Sequence, residues 1–219
     1  MARPVVLNSS GQVVHKFGDV SRETLERLQI YVDLVLKWQP AQNLIAPSTI
    51  PDIWTRHVAD SLQTLWSYPE ARIWVDIGSG AGFPGVVTAI LMADDDADGH
   101  VHMIESNQRK AAFLRTALRE TGSKGTVHAG RIESVAKEWT LGPVDAVSAR
   151  ALASLDLLMA LSEPFTRQGA RAVFHKGQDF QREVNEATAR WDFDMIEKTS
   201  LVDPMSRMLL FSNISARPE

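Results

Sequence analysis

One stretch of this chain constrains the fold more than any other, because an apolar strand, a run of glycines and a helix start follow one another there. Residues 73–77 form an apolar run with one acid near its end, the pattern of a strand buried on both faces. Four glycines follow, and Pro84 opens the apolar stretch 86–92, which we predict to be helical. Glycines let the backbone turn sharply and approach a ligand, while helix N–H groups point into the gap. The stretch therefore predicts a nucleotide-binding loop.

Two ligand classes fit this loop. Gly80, Gly82 and Gly85 match G-x-G-x-x-G, the fingerprint of dinucleotide-binding domains. Asp76 and the glycines at 78, 80 and 82 match D-x-G-x-G-x-G, the pattern of enzymes that use S-adenosylmethionine (SAM). A carboxylate at Asp76 disfavours a pyrophosphate and is acceptable beside a ligand that carries an ammonium and a sulfonium. We therefore favour SAM, with Asp76, Gly78, Gly80 and Gly82 in its site.

A second acid supports a nucleoside ligand without choosing between the two classes. Glu105 lies 23 positions beyond Gly82, at the end of the predicted strand 101–105. An acid at this distance, at the tip of the second strand, meets ribose hydroxyls in such architectures. Glu105 could instead cap the next helix, but Ser106 or Asn107 can fill that role. We expect the Glu105 carboxylate to be free for the cofactor.

Composition indicates one large domain, or one domain with an extension. The chain has 219 residues, of which 44% are apolar and 23% charged, so a sizeable packed core is expected. It contains no cysteine, which excludes disulfides, thiolate metal ligands and a cysteine nucleophile, and we predict no metal site. There is no signal-peptide pattern at the start and no apolar run of about 18 residues. We expect a soluble, cytoplasmic protein with no membrane partner.

Charge is unevenly distributed along the chain. The net charge of −4 argues against indiscriminate coating of nucleic acids. The loop 94–98 holds four aspartates, whereas residues 107–138 carry seven Lys or Arg against three acids. That local excess is either a phosphate-facing side or a solvated helix face.

Strands and helices alternate after Pro69. We predict strands at 73–77, 101–105, 126–129, 144–148, 170–175, 194–200 and 207–214, and helices at 84–93, 108–121, 131–138, 154–162 and 179–191. Alternation predicts a mostly parallel sheet with helices on both faces. The last two strands have no helix between them and should form an antiparallel hairpin, as in class I SAM-dependent methyltransferases. We therefore expect an α/β fold, a Rossmann-like methyltransferase core over 71–219 with a seven-stranded sheet and an antiparallel last strand, and a helical extension over 1–70.

The extension should begin irregularly over residues 1–20. Ser21 is a predicted helix cap, and that helix should end before Pro40; a second helix should start near Thr49. His57, Asp60 and Ser61 share one side of it. They resemble a catalytic triad, but a buried polar latch that fixes the helix against the sheet is the commoner outcome, and we prefer it.

Ligands of such sheets bind outside the carboxyl ends of the strands. Ile132 could offer an apolar face to adenine and Glu133 an acceptor for its amino group, while Phe83 could close the pocket or simply pack at the helix start. Arg150 and Lys176 end adjacent strands, so they could bind a substrate with phosphate or carbonyl oxygens, or serve as structural ion-pair partners.

The absence of several motifs excludes some of the reactions that such a fold could catalyse. No Tyr-x-x-x-Lys occurs, which removes the usual proton donor of short-chain reductases. The Asn/Asp-Pro-Pro-aromatic motif of adenine or cytosine amino-group methylation is also missing, and a thiolate adduct to a pyrimidine carbon needs a cysteine. What remains is a methyl acceptor with its own lone pair, or an oxygen with a base nearby.

Several motifs in order give the chain a family resemblance. They are Asn43-Leu44, Ile53-Trp54-x-x-His57-x-x-Asp60-Ser61-Leu62, the glycine loop 75–85, Glu105-Ser106-x-x-Arg109-Lys110-x-x-Phe113-Leu114-Arg115, Arg131-Ile132-Glu133, Ser148-x-Arg150-Ala151-x-Ala153-Ser154 and Lys176-Gly177-Gln178. Together they resemble the bacterial RsmG (GidB) family over roughly residues 25–178. One departure is Ser148-Ala149-Arg150, because the family usually has Ser directly followed by Arg, or an equivalent adjacent pair, at this point.

The resemblance implies methylation of N7 of one specific guanine in 16S ribosomal RNA, with SAM as cofactor. Its cofactor contacts would be Gly78, Phe83, Ile132, Glu133 and Arg150. The implied partner is 16S RNA, in the 30S subunit or an assembly intermediate, and the protein would act as a monomer. Lys176 or Arg150 could then hold guanine O6 as catalytic residues. The alternatives are an NAD(P)-binding oxidoreductase and an RNA-binding protein without activity.

Overall fold

The computed structural model describes Val14, residues 20–93 and residues 98–218. The predicted irregular start, residues 1–20, and the acidic loop, residues 94–98, lie almost entirely outside these residues. Helix α1 (Arg22–Gln42) begins at the predicted cap, where the Ser21 hydroxyl accepts a hydrogen bond from the Thr24 N–H at 2.9 Å.

The prediction that α1 ends before Pro40 is wrong, because the helix continues through Pro40 to Gln42. Asn43 then takes the left-handed conformation, with φ 48°, and its N–H bonds the Gln39 carbonyl. The Gln39 side-chain amide also exchanges hydrogen bonds with the Ile45 backbone at 2.7 and 3.0 Å. These bonds fasten the last turn and offset the one that proline cannot donate.

The predicted second helix is split into three helical types. A 3₁₀-helix (Pro47–Asp52) is followed by a π-helical segment (Trp54–Ala59) and by α2 (Asp60–Ser67). The π-helical segment buries His57, and Asp60 follows it at the start of α2. π-Helical turns are rare and often mark functional sites.

Seven strands form one sheet in the order β3-β2-β1-β4-β5-β7-β6. The strands are β1 (Ile73–Ile77), β2 (His100–Glu105), β3 (Gly125–Ala129), β4 (Ala146–Arg150), β5 (Arg171–Lys176), β6 (Trp191–Thr199) and β7 (Arg207–Ala216). Strands β1 to β5 pair in parallel, while β7 runs antiparallel to both β5 and β6. The predicted terminal hairpin is therefore confirmed.

The remaining helices cross from strand to strand. They are α3 (Gly85–Met92), α4 (Gln108–Thr121), α5 (Ile132–Lys137), α6 (Leu155–Thr166) and α7 (Phe180–Ala187). Helix α6 ends four residues later than predicted, since it continues past Pro164, and α7 ends four residues early. None of the helices in the described part of the chain combines the length and apolar character that crossing a membrane requires.

Apolar side chains form one core layer on each face of the sheet. Tyr31, Val86 and Phe113 belong to the layer under α1 to α4, and Leu158 and Phe174 to the layer under α6 and α7. Each is at most 2% exposed, and full burial of such a side chain contributes about 1.5–3 kcal/mol. Because α1 shares its core layer with α3 and α4, the N-terminal helices are integrated with the sheet. The domain boundary at residue 70 stays a prediction.

Candidate active site

The glycine loop follows β1, the strand that has β2 on one side of it in the sheet and β4 on the other. Gly78 and Gly82 have φ values of +64° and +94°, which favour glycine. A Cβ added at Gly78 would lie 2.5 Å from Leu152 Cδ1, and one at Gly82 would lie 2.5 Å from Val86 Cγ2. The loop is thus held close to the segment after β4 and to α3, and a cradle remains in front of it.

A cavity of about 600 Å³ opens at this loop, at the carboxyl ends of β1, β2 and β4. Seven of the predicted site residues line it: Gly78, Gly80, Phe83, Glu105, Ile132, Glu133 and Arg150. We call it the cofactor cavity. Its size falls in the range of small-molecule sites, which are about 300–1,000 Å³.

Asp76 does not face this cavity, contrary to the prediction. The side chain is 1% exposed, and its Oδ1 accepts a hydrogen bond from the Ser148 hydroxyl at 2.7 Å. Burial raises the pKa of Asp76 to about 6. A Cβ at Gly85 would come within 2.6 Å of its Oδ2, so the carboxyl lies against the start of α3. Asp76 therefore supports the loop from behind.

Two other predicted residues also lie away from the cofactor cavity. A Cβ added at Gly82 would meet Val86, Leu114 and Tyr31, so this glycine lies where the loop contacts α1 and α4. Lys176 lines a neighbouring cavity instead, because β5 is one strand farther from β1 than β4 is.

Glu105 links the cofactor cavity to the loop backbone. Its Oε2 accepts a hydrogen bond from the Gly80 N–H at 2.8 Å, and its Oε1 accepts one from the Asn107 N–H at 2.7 Å. Asn107 is the helix cap, as predicted, and accepts from the N–H groups of Arg109 and Lys110. The expectation that the Glu105 carboxylate would be free is therefore wrong, because both of its oxygens accept backbone hydrogen bonds. Each oxygen keeps a further lone pair, so Glu105 can still accept from a ribose.

Tyr31 is a contributor that the sequence interpretation missed. It lies on α1, fully buried, and its hydroxyl donates a hydrogen bond to the Ala81 carbonyl at 2.7 Å. Its ring centre is 5.0 Å from that of Phe83, which lines the cofactor cavity. A lone tyrosine among the apolar positions of α1 was the available signal, since buried tyrosines usually have a hydroxyl partner.

A charged network lies beside Phe83. Arg150 Nη1 is 3.2 Å from Asp60 Oδ2, and His175 Nδ1 is 3.3 Å from the same oxygen. Burial alone would raise the pKa of Asp60, but hydrogen bonds and charges from His175 and Arg150 outweigh it and lower the pKa to about 2. Asp60 therefore stays ionised and joins α2 to β4 and β5. The predicted polar latch is confirmed for Asp60.

His57 completes this network as a neutral group. Its Nδ1 contacts Arg150 Nη2, and its Nε2 lies 2.8 Å from the Thr49 hydroxyl. Burial, followed by the charge of Arg150, lowers the pKa of His57 to about 3. The imidazole is therefore uncharged at neutral pH, which suits a packing and hydrogen-bonding role.

A second cavity, of about 720 Å³, lies next to the first. The two share Thr49, His57, Arg150 and Ala151, so they meet across the Arg150 network. We call the second one the acceptor cavity. It is also lined by the cations Arg56, Lys176 and Arg207. Two adjoining cavities can hold a cofactor and a second molecule side by side.

A family model described as GidB, rRNA small subunit methyltransferase G, matches residues 24–208. The chain belongs to this family. The ribosomal RNA small subunit methyltransferase G of Rhizobium leguminosarum bv. trifolii is 51% identical over 197 residues, which cover 89% of this chain and 95% of that protein. The Rhizobium meliloti protein of the same name is 48% identical over 201 residues, covering 90% and 93%. The predicted resemblance to the GidB family is confirmed.

Solved structures that share this fold include methyltransferases. An O-methyltransferase from Bacillus cereus in complex with SAH has a TM-score of 0.57 and 13% identity, covering 93% of this chain and 96% of that one. The O-methyltransferase TomG from Streptomyces achromogenes, in complex with SAM, has a TM-score of 0.56 and 15% identity, covering 89% and 91%. At these identities the likeness shows the fold alone, which is the predicted class I SAM-dependent methyltransferase fold.

Family and fold together decide between the ligand classes. The rRNA small subunit methyltransferase G family is a family of enzymes, and the predicted cofactor, SAM, agrees with both findings. The alternative of an NAD(P)-binding oxidoreductase is wrong, although the G-x-G-x-x-G letters are present.

Proposed function

We propose that this chain transfers a methyl group from SAM to N7 of one guanine in 16S ribosomal RNA. The observation that supports this proposal most is that the cofactor cavity and the acceptor cavity meet across Arg150 and His57. A donor and an acceptor held in adjoining cavities react in a fixed geometry, which in good cases supplies about 7–11 kcal/mol.

The residues of the cofactor cavity fit SAM. Gly78 and Gly80 line the cofactor cavity, a Cβ added at Gly80 would meet only the Gly78 carbonyl oxygen within 4 Å, and Glu105 stands at the tip of β2 where ribose hydroxyls bind. Ile132 offers a half-buried apolar face for adenine, and the exposed Glu133 offers an acceptor for its amino group. Phe83, Gly78 and Arg150 would enclose the rest of the molecule.

The network around Arg150 suits an acceptor that needs no deprotonation. SAM supplies a methyl group on a positively charged sulfur, and guanine N7 carries an exposed lone pair. A pKa near 3 makes His57 a poor general base at neutral pH, and Asp60 is engaged by Arg150 and His175. Arg150 and Lys176 would orient the guanine by hydrogen bonds and leave N7 unprotonated and unblocked.

Cations around the two openings suit an RNA substrate. Arg56 and Arg207 line the acceptor cavity, and Lys110 and Arg131 line the cofactor cavity. Arg56 and Arg131 are exposed and could contact phosphates on either side of the target nucleotide. We propose that the substrate is the 30S subunit or an assembly intermediate, and that the enzyme acts in the cytoplasm as a monomer.

Incubation with labelled SAM tests the proposal. Equal amounts of 30S subunits and deproteinised 16S RNA are offered to the enzyme, and the label retained on 16S RNA is counted. The proposal predicts incorporation that saturates near one methyl group per 16S RNA. Absence of label from 16S RNA in both samples would reject it, and a preference for naked RNA would reject the subunit as substrate.

A further inference from the structure

The acceptor cavity is lined by a largely buried ion pair, Lys176 and Glu183. Lys176 Nζ lies 2.6 Å from Glu183 Oε2, and the two side chains are only 8% and 17% exposed. We propose that this pair recognises O6 and N1–H of the target guanine and rejects adenine. This inference rests on the proposed function and specifies how its acceptor cavity selects the base.

The pair is anchored to the wall between the two cavities. The Lys176 ammonium donates a hydrogen bond to the Ala153 carbonyl at 2.8 Å, and the Leu155 N–H donates one to Glu183 Oε2 at 2.6 Å. Ala153 lines the cofactor cavity, whereas Lys176 and Glu183 line the acceptor cavity. The pair is thereby fixed at the boundary between the two cavities.

The pair leaves one donor and one acceptor for that base. An ammonium has three N–H donors, and two of them are directed at Ala153 and Glu183. Glu183 Oε2 receives both described bonds to this carboxylate, and within residues 20–93 and 98–218 Oε1 has no hydrogen-bond partner. Lys176 and Glu183 therefore present N–H and O groups side by side.

The other carboxylates of the acceptor cavity, those of Asp60, Asp179 and Asp203, are less suitable, and Asp179 is exposed. Asp60 is occupied by Arg150, His175 and Ser200. Asp203 accepts from the Met205 N–H with one oxygen and from the Ser206 hydroxyl with the other. Glu183 is thus a largely buried carboxylate with an unused oxygen.

Guanine and adenine differ in the edge that would meet this pair. Guanine presents the acceptor O6 next to the donor N1–H, which matches Lys176 and Glu183 in that order. Adenine presents an amino donor next to the acceptor N1, so its amino group would face the ammonium and its lone pair the carboxylate. A mismatched pair of this kind typically lowers recognition about 10- to 100-fold.

Base substitution in the RNA measures this recognition. Subunits are reconstituted with 16S RNA that carries guanine, inosine or 2-aminopurine at the methylated position, and kcat/KM is measured for each. Inosine keeps O6 and N1–H, whereas 2-aminopurine lacks both and keeps N7. We expect the wild-type enzyme to use inosine within about threefold of guanine and 2-aminopurine at least about 10-fold less well.

Glu183→Gln turns the free acceptor into an amide that can present a donor. We expect kcat/KM for guanine to fall about 10-fold while that for 2-aminopurine changes little, so that their ratio falls. Glu186→Gln on the same helix, at an exposed residue 3.8 Å from Arg182, should leave the ratio unchanged. The ratio compares two substrates of one preparation, so any loss of folded enzyme cancels, and so does the intrinsic reactivity of each base.

An unchanged ratio in Glu183→Gln would overturn the assignment, since a purely structural ion pair would affect both substrates equally. Poor use of inosine by the wild-type enzyme would overturn it as well. If the wild-type enzyme methylates no guanine at all, the proposed function itself fails, which is a different result from guanine methylation without discrimination.

Discussion

The Tyr31 hydroxyl donates a hydrogen bond to the Ala81 carbonyl at 2.7 Å, so a helix that precedes the sheet by 30 residues holds the glycine loop in place. The same ring contacts Phe83, which lines the cofactor cavity. Helix α1 thereby supports the cofactor site, although Tyr31 itself does not line the cofactor cavity.

Tyr31→Phe should weaken SAM binding and lower stability. The substitution leaves the buried Ala81 carbonyl without its donor, which costs about 1–3 kcal/mol in the free energy of unfolding. Because the loosened loop must be ordered on binding, we expect the Kd for SAM, measured by calorimetry, to rise several-fold. Tyr68→Phe is the control, since Tyr68 is half-buried and its ring stacks on Arg171 away from the loop. Unchanged SAM affinity in Tyr31→Phe would contradict this role.

Gly78→Ala and Gly122→Ala form a matched pair. Both glycines have φ near +64°, so an alanine costs about 1–2 kcal/mol of stability at either position. A Cβ at Gly78 also lies 2.5 Å from Leu152, whereas nothing lies within 4 Å of one at Gly122. Because Leu152 lines the cofactor cavity, we expect only Gly78→Ala to lose SAM affinity, by 10-fold or more, which corresponds to about 1.4 kcal/mol. Equal affinities of the two variants would be evidence against the position of the cofactor.

Asp60→Asn should uncouple the Arg150 network. An asparagine cannot balance the buried guanidinium, and removal of one partner of a buried ion pair typically costs about 3–5 kcal/mol. We expect lower thermal stability and, in the folded enzyme, a larger fall in kcat for methyl transfer than in SAM affinity. Asp52→Asn, at an exposed position of the 3₁₀-helix, serves as the control. A full kcat in Asp60→Asn would show that Arg150 is not positioned by this carboxylate.

A histidine cluster should make the fold sensitive to acid. His102 Nδ1 lies 3.1 Å from His128 Nε2, and burial, followed by the neighbouring His100 and His128, lowers the pKa of His102 from 6.5 to about 4. The unfolded chain then binds a proton more readily, so stability that is fully present above pH 6.5 is lost as the pH falls toward 4. Asp76 acts in the opposite direction, because burial raises its pKa to about 6.

Urea unfolding at pH 7 and pH 5 isolates the contribution of His102. We expect His102→Gln to reduce the loss of stability between these pH values by about 1 kcal/mol, a figure that allows for solvent screening. A variant His102→Gln with the wild-type pH dependence would show that the cluster does not bind protons differently in the folded and unfolded states.

Local sequence patterns were sufficient to predict the structure at the centre of the sheet. The strand β1, the glycine loop and α3 are contiguous in sequence, so hydrophobic runs and turn residues determine them together. The same holds for the terminal hairpin, where the lack of a helix between β6 and β7 predicts their antiparallel pairing.

Contacts between distant segments could not be predicted in this way. Asp76 lies in the motif as expected, but Ser148 from β4 and the start of α3 decide that its carboxyl is buried behind the loop. Glu183 gave no signal in the sequence, because its role depends on the meeting of α7 with Lys176 on β5. Pairings across the fold of this kind depend on tertiary packing, which periodicity does not encode.

The position of the transferred methyl group tests the central claim most directly. After reaction with SAM, 16S RNA from 30S subunits is reduced with borohydride and treated with aniline, which cleaves the strand at N7-methylguanine, and the fragment ends are mapped. We expect one new cleavage at a single guanine that depends on the enzyme and on SAM. Methylation at another atom or in another RNA, with no new cleavage in 16S RNA, would contradict it.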